Sequence, residues 1–255
     1  MKCFTLIHFL FLCNLKFADC AKKKPEDLLA LQKALQDAKE RLKSLENLQG
    51  SDEMKAMAWA SIAMNLQMQD AIWHNGGVEI QQEALLSFDK AIELTDAGKK
   101  DLLVQLHQNK GILLKMMGRG KESLESHDKS FSLADSRFDK SSALYSKGDT
   151  LGMMGLLDQA VDSYKEAIKL RPDHISVYLP LVKVLREQNK TDNKSWRRLM
   201  SEMKSAVKKY RKITEKFASD NEASALYRTN HRDEVGHVKI PPDIYWALFE
   251  VEFLA

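Results

Sequence analysis

Histidines, cysteines and acidic side chains are the residues from which a catalytic or metal centre is built, and their spacing in this chain builds neither. The seven histidines fall at no metal-ligand spacing. All three cysteines, Cys3, Cys13 and Cys20, lie in the first 21 residues, so a chain cleaved after them offers no thiolate to a zinc ion. His231-Arg232-Asp233 shares its letters with the start of a kinase catalytic loop, but no glycine-rich loop and no later Asp-Phe-Gly accompany it. The chain also lacks a P-loop, a dinucleotide fingerprint and a Gly-x-Ser-x-Gly elbow. The expectation is a non-enzymatic chain with no catalytic residue, no metal and no cofactor.

Two motifs do carry chemistry of another kind. Asn189-Lys190-Thr191 and Asn193-Lys194-Ser195 are N-glycosylation acceptor triplets in the most polar stretch between helices, which makes Asn189 and Asn193 candidate sugar sites if the chain enters the secretory pathway. Residues 1–21 fit that route. Lys2 gives a positive start, Cys3 to Cys13 are almost wholly apolar, and Ala18-Asp19-Cys20 supplies small residues around a cut. The apolar run falls short of the roughly 20 residues a membrane anchor needs. A signal peptide is therefore expected over 1–21, with the mature chain free of disulfides in the ER lumen or secreted.

Charge narrows the partner classes. With 39 Lys+Arg against 36 Asp+Glu, the formal net charge is only +3, and nucleic-acid binding has no global electrostatic support. The basic feature is local. Residues 195–218 predict a long amphipathic helix whose stripe, including Trp196, Leu199, Met203, Tyr210 and Phe217, backs onto a face rich in Lys and Arg. That face is either simply solvated or meets an anionic partner.

The elements that must position any binding surface are helices. Five prolines and eleven glycines in 255 residues leave the chain dominated by good helix formers. Residues 26–49 carry Leu28, Leu31, Leu35, Ala38, Leu42 and Leu45 three and four apart, a seam that either caps a neighbouring helical stack or pairs with a second copy. Gly50, Ser51 and Asp52 provide a stop and a new N-cap.

An internal repeat then dominates. Ala84–Leu94, Ser123–Leu133 and Ala160–Leu170 align, each opening on a small residue (Ala84, Ser123, Ala160). A ring follows four later (Phe88, His127, Tyr164), then a small residue (Ala91, Ser130, Ala167) and a closing leucine. Small residues let antiparallel helices approach, while the ring fills the gap between successive hairpins. Gly111 and Gly148 each precede the first small residue by twelve, and Pro172 follows Tyr164 by eight.

These residues resemble the tetratricopeptide-repeat (TPR) pattern. The resemblance implies an all-α, right-handed α-solenoid of about three hairpins with flanking helices: an array over 52–188, with units near 52–97, 104–137 and 141–174 and then a partial unit. After Pro172, Asp173 is expected to cap a helix reaching about Gln188, kinked at Pro180. TPR arrays bind ligands on the face lined by the first helix of each unit. By resemblance, the groove here would comprise Gln105, Gln108, Asn109, Ile112, Lys115, Ser142, Tyr145, Asp149 and Met153. Its mixed, polar character departs from the Lys/Asn/Arg carboxylate clamp of the chaperone-binding subclass, since Gln105, Gln108, Asn109, Ser142, Tyr145 and Ser146 stand where that clamp needs its cations and amides.

Residues 219–240 are expected to form a linker, and 243–255 a TPR-like first helix without its partner. Tyr245 to Val251 loosely resembles TPR segments that precede sulfotransferase domains. Two functions follow. The leading one is a TPR scaffold binding a protein or peptide partner, with a homodimer through 28–45 as a further option; the alternative is the non-catalytic TPR portion of a larger enzyme.

Overall fold

The computed structural model describes residues 25–47, 51–73 and 77–188, together with Ser201, Ser205 and Lys208. The 1–21 segment, Asn189, Asn193, the rest of the 195–218 stretch, the 219–240 linker and the 243–255 helix lie outside the described residues. Between residues 25 and 188 eight α-helices are described: α1 Pro25–Asn47, α2 Asp52–Trp73, α3 Gly77–Leu94, α4 Lys100–Met116, α5 Gly120–Leu133, α6 Arg137–Met153, α7 Leu157–Leu170 and α8 Tyr178–Glu187. Among the described residues there is no strand, and no helix is long and apolar enough to cross a membrane. The chain divides into two compact units, one ending at Met154 and one beginning at Gly155.

In the first unit each helix packs on its predecessor, α2 pairing with α3 and α4 with α5. The core joins Ile62 and Leu66 of α2 to Ala84, Phe88 and Ala91 of α3 and Leu106 and Leu113 of α4. Helix α1 covers the first hairpin. Its Ala38 and Leu42 are buried in the same core, with Leu35 and Leu45 packed against it, and Lys39 reaches Glu83 of α3 at 2.7 Å. The middle of the leucine seam is thus taken up within the chain. Ser51 caps α2, accepting from the Met54 backbone N–H at 3.4 Å.

The repeated small-ring-small triplets mark the buried stripe of every second helix. Ala84, Phe88 and Ala91, then Ser123, His127 and Ser130, then Ala160, Tyr164 and Ala167 are all at most 2% exposed. Burying Phe88 stabilises by roughly 1.5–3 kcal/mol.

The turn between α4 and α5 closes by backbone chemistry. The Arg119 N–H donates to the Leu114 carbonyl at 2.9 Å and the Gly118 N–H to that of Lys115 at 3.0 Å, the paired bonds of a Schellman motif. Gly118 sits at φ +74°, and Gly155 repeats the geometry at φ +75°, a region that a side chain disfavours.

Helices α4 and α6 open at Lys100 and Arg137, four residues before the expected units at 104 and 141. At α6 the reason is local: the Ser136 hydroxyl accepts from the Asp139 N–H at 3.0 Å, which caps the extra turn.

In the second unit the expected kink at Pro180 is absent. Asp173 does not cap a long helix; it pairs with Arg171 at 3.4 Å. A 3-10 turn over Ile175–Val177 precedes α8, which places Pro180 in the first helical turn, where a missing N–H costs nothing. The Tyr178 hydroxyl donates to the Pro172 carbonyl at 2.9 Å and ties this loop down.

Candidate functional site

Helices α4 and α6 carry every residue expected in the groove. Gln105, Gln108, Asn109, Ile112, Lys115, Tyr145 and Asp149 are half-buried, Met153 is exposed and Ser142 is buried. Ser142 therefore has little surface to offer a ligand. The helices lining this face are cross-linked. Gln67 Nε2 of α2 donates to the Asn109 carbonyl at 3.1 Å, and Lys115 Nζ meets Asp149 at 3.4 Å. Both ends of the Lys115–Asp149 pair are about a quarter exposed, at 25% and 24%. The face is neutral in sum where the pair lies, and it offers amides, a phenol and thioethers: Met116 at the end of α4 and Met153 at the end of α6 are 37% and 52% exposed.

A second set of ion pairs repeats between hairpins. Lys110, just before Gly111, meets Asp89, just after Phe88, at 2.5 Å. Lys147, just before Gly148, meets Asp128, just after His127, at 2.6 Å. Each bridges a second helix to the first helix of the next hairpin, so the pairs form a ladder in step with the repeat. Sequence reasoning missed it, though Lys-Gly at 110–111 and 147–148 and ring-Asp at 88–89 and 127–128 were visible.

The seam of the α4–α5 hairpin is polar where its neighbours use alanine. Ser123 Oγ donates to the Gly111 carbonyl at 2.8 Å and lies 3.0 Å from Thr150 Oγ1. Ser130 Oγ donates to the Val104 carbonyl at 3.0 Å. His127 fills the ring slot, and both its nitrogens are buried without a hydrogen-bond partner. Burial, aided by Lys115 and Lys147, lowers its pKa to about 3. His107 on α4 is also buried, with Nδ1 unpartnered; desolvation, then Lys129 and Lys110, lower it to about 4. His107 borders a small cleft with Glu122, Glu125, Ser126 and Lys129 of α5. Among the described residues no group of His, Cys, Asp or Glu is arranged to hold a metal ion.

No family model matches the chain, and no curated protein matches it in sequence. Its fold is similar to that of a crystal structure of MamA, a TPR-like helical repeat protein, with a TM-score of 0.51 and 16% identity over 72% of this chain and 91% of that one. A crystal structure of MamA protein (TM-score 0.38, 14% identity, 75% and 97% covered) and MamA 41-end from Desulfovibrio magneticus RS-1 (0.39, 16%, 74% and 98%) were also found. The TM-score of 0.51 carries the fold assignment: the chain is all-α, with a helical-repeat fold of the TPR type.

Proposed function

We propose that this chain is a non-enzymatic TPR scaffold that holds a protein or peptide partner on the face lined by α4 and α6, within the secretory pathway. One observation carries the reading: successive first helices are locked side by side by the Lys115–Asp149 pair, while Gln105, Gln108, Ile112, Tyr145 and Met153 keep surface toward solvent. A rigid, repeated face of this kind lowers the ordering cost of holding an extended segment. The order of charge, apolar run and small residues in 1–21, together with the triplets at Asn189 and Asn193, supports the compartment.

The experiment compares proteins retained by the tagged chain, by Gln108→Arg on the groove face, and by Lys121→Glu at an exposed position of α5. The expected result is a partner held by the wild type and by Lys121→Glu but lost from Gln108→Arg, and reproduced with purified components. A partner indifferent to Gln108→Arg would overturn the groove assignment.

A further inference from the structure

The first two hairpins put different residues into one slot. Helix α3 fills it with Phe88, 0% exposed, and α5 fills it with His127, 1% exposed. A phenyl ring suits a dry slot. An imidazole with two unpartnered nitrogens is tolerated there only while neutral, because its protonated form would be a buried cation without a counter-charge. Among the described residues, the elements packed most extensively against α5 are α4 and α6. The charges they turn toward His127 are Lys115, paired to Asp149, and Lys147, paired to Asp128. Both are cations. His107 sits on the same hairpin, facing Lys129 of α5 and Lys110 of its own helix; Asp89 of α3 acts in the opposite direction, and Glu122 and Glu125 of α5 line the cleft that it borders.

We infer that the α4–α5 hairpin is an acid-opened joint in the array: a proton taken up on His127, reinforced by one on His107, opens this hairpin locally while the α2–α3 hairpin, with Phe88 in the same slot, holds. The cleft beside His107 gives water a short route to that ring. The direction follows from linkage. Packed His127 titrates at about 3 and His107 at about 4, against the ordinary 6.5 in an opened hairpin. The neutral rings therefore stabilise above pH 6.5, and this stability is lost as the pH falls from 6.5 toward those values. Between pH 7.4 and 5.0, each histidine shifts the opening equilibrium by about 30-fold. Because α4 carries Gln105, Gln108 and Asn109, opening would also dismantle half of the proposed groove. That consequence rests on the functional reading; the joint itself does not.

Hydrogen exchange of the full chain without any partner, at pH 7.4 and 5.0 and corrected for intrinsic exchange, tests the joint alone. In the wild type, amides of α4 and α5 are expected to lose at least about tenfold more protection than those of α2 and α3. His127→Phe, which installs the residue of the first hairpin, should remove about 30-fold of that loss. His127→Gln, polar but without a titrating proton, should do the same and covers the case in which the phenyl variant fails to fold. An unchanged acid response of α4 and α5 in the variant that folds, or equal loss in both hairpins of the wild type, would overturn the inference.

Discussion

The imidazole of His127 occupies the space that Gly111 leaves on helix α4. A Cβ at 111 would stand 2.7 Å from Nδ1 and 2.9 Å from Nε2, and the buried ring has nowhere to retreat. Gly111→Ala is therefore expected to destabilise by about 1–2 kcal/mol, because overpacking outweighs the helix propensity that alanine adds. In a His127→Ala background the same change should become neutral or stabilising. Urea unfolding of the four proteins in this cycle checks it, and an equal Gly111→Ala effect in both backgrounds would refute the contact.

Removing the seam hydroxyls should cost little. Alanine already stands at the equivalent of Ser130 in Ala91 and Ala167, so Ser130→Ala should cost about 0.5–1.5 kcal/mol, one net hydrogen bond. Ser123→Ala should cost the more of the two, since its hydroxyl serves both the Gly111 carbonyl and Thr150. Without Ser123, Thr150 can give its single proton to the Ser146 carbonyl at 3.1 Å, which limits the loss. Denaturant midpoints rank the pair.

Ala167 is wholly buried, whereas Lys165, two residues earlier on α7, is exposed. Ala167→Leu should destabilise by about 1–3 kcal/mol, and Lys165→Leu should stay within about 0.5 kcal/mol. Equal thermal unfolding shifts for the two would mean that the repeat register is wrong.

The proposed route through the secretory pathway has a direct readout. Material made in a eukaryotic secretory host should have an intact mass beginning near residue 21, and glycosidase should increase its mobility through sugar at Asn189 or Asn193. A mass that still includes Met1 to Cys20 rejects the leader. Unchanged mobility rejects the sugar.

Volume was the part of this fold most legible in the sequence. Alanine or serine at 84, 91, 123, 130, 160 and 167 and rings at 88, 127 and 164 announce a close-packed stripe, because no other side-chain sizes fill it. The candidate groove was readable only as a set of positions, and sequence could not foresee Lys115 meeting Asp149 34 residues away. The seam hydroxyls were read as small rather than as donors, since their acceptors are carbonyls of another helix. Pro180 misled because its effect depends on where the helix starts: a proline two residues after Tyr178 opens α8 instead of bending it.

The Lys110–Asp89 and Lys147–Asp128 pairs give the array a direction of growth. A duplicate of residues 100–136 inserted ahead of Lys100 would present a lysine to Asp89 and an aspartate to Lys110, so the chain could lengthen there with its charges matched. The residue after the ring in the third copy of the stripe is Lys165, where the first two copies have Asp89 and Asp128, so that copy does not offer the acidic partner. Gene duplication thus has an open door between the first and second hairpins.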